Sequence, residues 1–185
     1  NAFQNTSSSL VQAKFNSTYV DFLMPPLSPM ELTIGFIGGS VVRGLLVALI
    51  SAIGIQISGL ADLSIVHLWP ILWFSVTSAI ALGALGAIGG IWADKFDHLS
   101  AVTNFVIVPL TFLSGTFYDI KVMSEPFYTM ALLDPFFYMI DGFRYGFLGV
   151  ANSSVIVGVW VTGLLAVAGI FAVWLMFRSG YKLKA

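Results

Sequence analysis

Apolar residues run along this chain in long, nearly unbroken blocks. A soluble amphipathic helix would show narrow stripes instead. Four blocks stand out, over residues 29–57, 67–92, 100–116 and 153–177. Crossing a hydrocarbon core of about 30 Å takes about 20 apolar residues, so each block predicts a transmembrane helix. The third is short and holds Pro109, which predicts a start inside the preceding polar loop, or a tilt. Residues 1–17 are mildly apolar and rich in Ser and Asn. They read as the last turns of a truncated helix, and the chain as the C-terminal part of a longer protein.

Local signals set the helix starts. Pro25-Pro26 ends any helix over 18–24, because each ring removes a donor and restricts the residue before it. Ser28-Pro29-Met30-Glu31 is a capping box, so a helix begins at Pro29. Residues 117–152 interrupt the apolar blocks with two short aromatic-rich helical patterns. Ser124-Glu125-Pro126 opens the first. Asp134-Pro135 opens the second, which Gly149 ends. Asp141 and Arg144, three apart, are placed to pair. Glycines in the first block (Gly35, Gly38, Gly39, Gly44) and the run SAIALGALGAIGG in the second predict faces for close helix packing in lipid. The fold class is therefore all-α. We expect a polytopic membrane domain of four complete transmembrane helices plus the end of a truncated one, with an external re-entrant hairpin over 117–152.

Composition agrees with this picture. Hydrophobic residues make up 58% and charged residues 9%, against about 25% charge in soluble domains. The net charge of −1 argues against nucleic acid as a partner. With no cysteine there is no disulfide framework, thiolate metal site or cysteine nucleophile. His67 and His98 are isolated at opposite ends of one block and form no ligand-spaced cluster. A GxxxxGK[ST] phosphate loop is absent, as is an acidic residue in mid-span. Neither ATP binding in the Walker manner nor an ion-coupling site is therefore expected. Lys14, Lys95 and the tail (Arg178, Lys182, Lys184) share one side, which the positive-inside rule makes cytoplasmic; residues 117–152 then lie outside.

Three features leave alternatives open. Arg43 is the single charge in the first block; it snorkels to an interface or faces a polar pathway, since a mid-span charge costs about 2.5–3.5 kcal/mol on insertion scales. The 117–152 hairpin is an interfacial anchor or a gate, with Phe137, Asp141, Arg144 and Tyr145 as candidates. The amphipathic stretch at Tyr19, Asp21, Phe22 and Leu23 lies flat on the membrane or docks into a partner.

The ordered runs LMPPLSPMEL, VVRGLLVA, IVPLTFLSGTFY and DPFFYMIDGFRYGFLG resemble those of ABC-2-type permeases, in particular the YadH-like inner-membrane transport permeases. The resemblance spans nearly the whole chain. It implies a homodimer in the bacterial inner membrane, multi-pass in the lipid, with a cytoplasmic C-terminus. Two separate ATPase subunits would bind ATP, leaving the permease itself without a cofactor or a catalytic site. Residues 18–24 would couple to the ATPase, and 125–149 would close the pathway from outside. Exported cargo in the family is lipid, polysaccharide or drug. A secondary carrier or channel without an ATPase, or a non-transporting anchor or assembly protein, are the rival readings.

Overall fold

The structure is a computed structural model and describes residues 1–16, 27–59, 64–116, 120 and 124–182. Its elements are all helical: α1 (Ala2–Phe15), α2 (Pro29–Ser58), α3 (Leu68–Trp92), α4 (Phe96–Val102), a π-helical turn (Thr103–Ile107), α5 (Val108–Leu113), α6 (Phe127–Leu133), α7 (Pro135–Leu148) and α8 (Val155–Ser179). Among the described residues, four stretches are long and apolar enough to cross a membrane: α2, α3, the continuous Phe96–Leu113 and α8.

The helix starts follow their local chemistry. At α2 the Ser28 N–H donates to Glu31 Oε2 at 2.6 Å, and the Glu31 N–H donates back to Ser28 Oγ at 3.3 Å. Two otherwise orphaned donors are satisfied reciprocally. The third span begins at Phe96, inside the polar loop, and passes through the π turn just before Pro109. There the Val108 N–H bonds Thr103 O, five residues back. A wider turn shifts each carbonyl's partner by one, so Phe105 O need not look to Pro109, which has no N–H.

Two compact units emerge. The first comprises Asn1–Ala48, Ala79–Ser100 and Leu165–Ala185; the second comprises Leu49–Ser78 and Ala101–Leu164. Helices α2, α3 and α8 each contribute residues to both.

In the first unit the small-residue run of α3 is the packing face that its composition predicts. A Cβ on Gly86 would stand 2.4 Å from the carbonyl oxygen of Phe3 on α1, and one on Gly90 would stand 2.8 Å from Leu10 Cβ. A Cβ on Gly83 would run into the Ser40 hydroxyl of α2, and one on Gly169 of α8 would stand 2.8 Å from Ala84 Cβ. Backbones can approach this closely only where no side chain intervenes. Leu10, Ile37, Ala84, Ala87, Ile91 and Val173 form the core between these helices.

The glycine face of α2 behaves differently from expectation. Nothing lies within 4 Å of a Cβ at Gly35, Gly38 or Gly39; Gly44 alone of the four touches neighbours, at Ala2 and Ala79. The buried stripe of α2 is Thr33, Ile37 and Ser40, one helical face over. These glycines therefore do not mediate packing within the described chain.

In the second unit, Phe74 of α3 is the central wedge. It is fully buried, and its ring sits over Gly142 of α7 and Gly158 of α8. Ile120, Ala131 and Phe137 form a separate small core that Leu113, Tyr128 and Tyr138 border.

Candidate functional site

Helices α6 and α7 form the structured segment between the last two spans. Their starts differ in chemistry. The α6 helix begins at Phe127, later than the Glu125 start that sequence predicts; Pro126 occupies the cap position, and the Phe127 N–H donates to Ser124 O at 3.0 Å. The α7 start is as expected: Asp134 caps it, accepting from the Phe136 N–H at 2.9 Å, with Pro135 in the first turn. Gly149 ends it at φ +68°, a left-handed conformation that suits glycine.

Asp141 and Arg144 do not pair. Both carboxylate oxygens of Asp141 are turned to the segment before α8. They accept from the Asn152 N–H at 2.9 and 3.1 Å, the Ser153 N–H at 2.9 Å and the Ser153 hydroxyl at 3.0 Å. Asp141 is buried, and these donors lie in the segment just before α8, outside that helix's own hydrogen-bond ladder. Arg144 instead donates from Nη2 to Gly115 O, beyond the end of α5, at 2.5 Å. Three-residue spacing put the two charges on one side of α7. What separated them was the competing offer of unsatisfied backbone groups on two different neighbours, donors for the carboxylate and an acceptor for the guanidinium.

Phe137 is a fully buried core residue of the helical pair. Tyr145 is half-buried and stacks on His67, ring centroids 5.1 Å apart. The N–H groups of Val66 and His67 both donate to Gly146 O, at 3.1 and 2.9 Å. The start of α3 is thus held on α7. The Gly142-x-x-x-Gly146 spacing is a small-residue packing signal that marks this contact in the sequence.

A third tie joins α5 to α7. Ser114 Oγ lies 2.9 Å from Asp134 Oδ2 and 2.5 Å from Leu110 O. The single Ser114 hydroxyl proton is shared between the two acceptors. Burial pushes the Asp134 carboxyl up from its ordinary value of 3.8, against the lowering effect of the Phe136 N–H and the Ser114 hydroxyl. Over the window between the unfolded and folded values the fold binds more protons than the unfolded chain, so stability falls as pH rises through it and then levels off. Asp134→Asn keeps a capping side chain and cannot ionise. Above about pH 4, the free aspartate value, its thermal unfolding temperature in detergent should fall less with rising pH than the parent's. Parallel profiles would refute a raised Asp134 carboxyl.

The first unit carries further charged contacts. Lys14 of α1 donates to the carbonyls of Ile91 and Ala93, the latter at 3.0 Å. Lys182 donates to Trp92 O and to Asp94 Oδ2, each at 2.8 Å, and the Lys182 ammonium holds the exposed Asp94 below the usual carboxylate range. Two cations thus sit on the carbonyl end of α3, where the helix dipole favours them. Arg43 donates from Nη1 to Asn5 Oδ1 of α1 at 2.8 Å. Sequence reasoning named the arginine but had no signal for its partner 38 residues away. Tyr19, Asp21, Phe22 and Leu23 lie outside the described residues. Among the described residues no group of three or more His, Asp or Glu is placed to hold a metal ion.

The family described as ABC-2 type transporter matches residues 1–148. The chain is similar to the inner membrane transport permease YadH of Escherichia coli (strain K12) and of Shigella flexneri. With each it shares 33% identity over 187 aligned positions, covering all of this chain and 72% of the relative. No solved structure matches it.

Proposed function

The chain belongs to the ABC-2 type transporter family and is a membrane transport permease; from that premise we propose that it is the membrane-spanning subunit of an ATP-driven exporter in the bacterial inner membrane. One observation carries the reading. The family match takes in α1, α2, α3, the Phe96–Leu113 span and the α6–α7 pair in one continuous run.

The mechanism assigns each part a task. A separate ATPase subunit binds and hydrolyses ATP, since this sequence has no phosphate loop. The side bearing Lys14, Lys95 and the basic tail faces the cytoplasm. Residues 18–24 dock on the ATPase there and move with it. On the opposite side, α6 and α7 cover the pathway exit. Their motion cannot be independent of the spans: Arg144 ties α7 to the end of α5, Asp141 ties it to the start of α8, and Gly146 ties it to the start of α3. A tilt of the spans therefore carries the pair with it, opening or closing the path between two copies of the chain. The aromatic packing of Phe137 serves the rigidity of the pair, while Tyr145 and Arg144 stand at its edges.

Cysteine placed at Tyr19 or Phe22, in the full-length permease co-expressed with an ATPase subunit, should crosslink to that subunit, and ATP should change the yield. A folded complex that gives no crosslink at either position would remove the coupling role.

A further inference from the structure

Helices α1 and α2 flank residues 17–26, and they are held unequally. At the α2 side, Ser28 and Glu31 bond to one another. Leu27, Met30 and Ile34 are exposed, and the buried stripe of α2 begins only at Thr33. At the α1 side, three separate contacts fix the last turn, all of them to the end of α3 and the start of α4. Lys14 donates to the carbonyls of Ile91 and Ala93. The Phe15 ring stacks on Phe96, centroids 5.6 Å apart and planes 8° from parallel. Val11, Ala93 and Leu99 form a small buried core.

A helix end leaves its last carbonyls without intrahelical donors, and its dipole favours a cation there. At the end of α3 these are the carbonyls of Ile91 and Trp92, with Ala93 just beyond. Lys14 takes the first and third, and Lys182 takes the second. The two lysines differ in setting. Lys14 is half-buried, with the aromatic stack and the apolar core beside it. Lys182 is exposed and stands at φ +53°, a conformation uncommon for a residue with a side chain. Its other contacts are the exposed Asp94 carboxylate and the face of Trp92. Water and salt screen an exposed charge contact far more than a buried one, so the α1 contact is the firmer of the two. Phe96 opens the third span, which continues unbroken to Leu113. A displacement of the end of α1 therefore acts on the first turn of that span.

We propose that Lys14 is the positioning residue of a joint between α1 and the α3–α4 turn, through which the transport cycle moves the third span. The push enters the span at Phe96 by way of α1, and α2 follows. Lys182 steadies the same carbonyl end without carrying the motion. The joint's role rests on the exporter reading above, in which residues 18–24 dock on the ATPase.

The test uses the full-length permease in nanodiscs with its co-purified ATPase subunit. Exposed Ser100, one turn into the third span, is replaced by cysteine and carries an environment-sensitive fluorophore. Its emission should change when ATP replaces ADP. Lys14→Met keeps the apolar stem and removes the donors. It should abolish that change while the ATPase subunit co-purifies in the parent's ratio, a split that a merely structural role would not produce. Lys14→Arg should restore the change, and Lys182→Met should leave it in place. A response in Lys14→Met equal to the parent's overturns the joint, and so does a response lost equally in Lys182→Met. Should Lys14→Met fail to fold, Phe15→Leu removes the exposed stack alone and should diminish the change; an undiminished change overturns the joint. A parent that binds no ATPase subunit and shows no response to ATP removes the exporter reading, and the joint's role with it. A parent that responds, with Lys14→Met responding equally, removes the joint alone.

Discussion

Gly142→Ala should disable the permease, and Phe74→Leu should restore it. A Cβ at Gly142 would fall 2.2–2.4 Å from three atoms of the Phe74 ring, well inside contact distance. The ring is fully buried and also rests against Gly158, so it has little room in which to swing. Overpacking of this kind costs about 1–3 kcal/mol where the surroundings can yield, and we expect the upper end here. For a chain of this size that is a fall of roughly 10 °C in unfolding temperature, read by thermal denaturation in detergent. Leucine at position 74 is shorter than the ring and makes room for the added methyl. The double variant Gly142→Ala, Phe74→Leu should therefore be more stable than Gly142→Ala alone. If both variants lose stability additively, the steric account fails, because two changes in one contact should not act independently.

Asp141→Ala should lower stability on a comparable scale, for an electrostatic reason. It strips acceptors from two backbone N–H groups and one hydroxyl at the entrance to α8. A buried donor left unmade costs about 1–3 kcal/mol, so a total near 3 kcal/mol is expected after water reaches part of the segment. Asp141→Asn keeps one oxygen and turns an NH2 toward donors, and should lose about half as much. Ser153→Ala removes only the hydroxyl contact and should lose least. Arg144→Ala frees Gly115 O, a different neighbour. Since Asp141 and Arg144 share no partner, the double variant's loss should be close to the sum of the single losses. A coupling of about 0.5 kcal/mol or more in the double-mutant cycle, the size of a helical ion pair, would restore the direct pair. Transport by the two single variants separates their roles: Asp141 reports on the tie to α8, and Arg144 on the tie to α5.

Both predictions concern contacts that the sequence indicated only in outline. The aromatic density of 127–148 marked a structured segment, and Asp134, Pro135 and Gly149 marked the limits of α7. These signals are local, because capping and positive φ depend on a few adjacent residues. The assignment of Asp141 to Arg144 failed because spacing along one helix says which side chains can meet. It does not say which neighbour offers more. The open face at Gly35, Gly38 and Gly39 failed for a related reason: small residues permit close packing without naming a partner. Phe74 could not be singled out from an apolar block whose other members satisfy the same composition.

By itself the sequence determined the class of molecule: unbroken apolar blocks of spanning length, few charges, and proline and capping residues at the helix starts. Those properties follow from the bilayer's thickness and from backbone hydrogen bonding, both of which act within one segment. Tertiary structure alone decided the pairings: Asp141 to the start of α8, Arg144 to Gly115, Asn5 to Arg43, Phe74 to Gly142. Each joins residues at least eleven, and mostly tens, of positions apart. Which donor meets which acceptor there depends on how helices settle against one another, and a one-dimensional pattern does not carry that information.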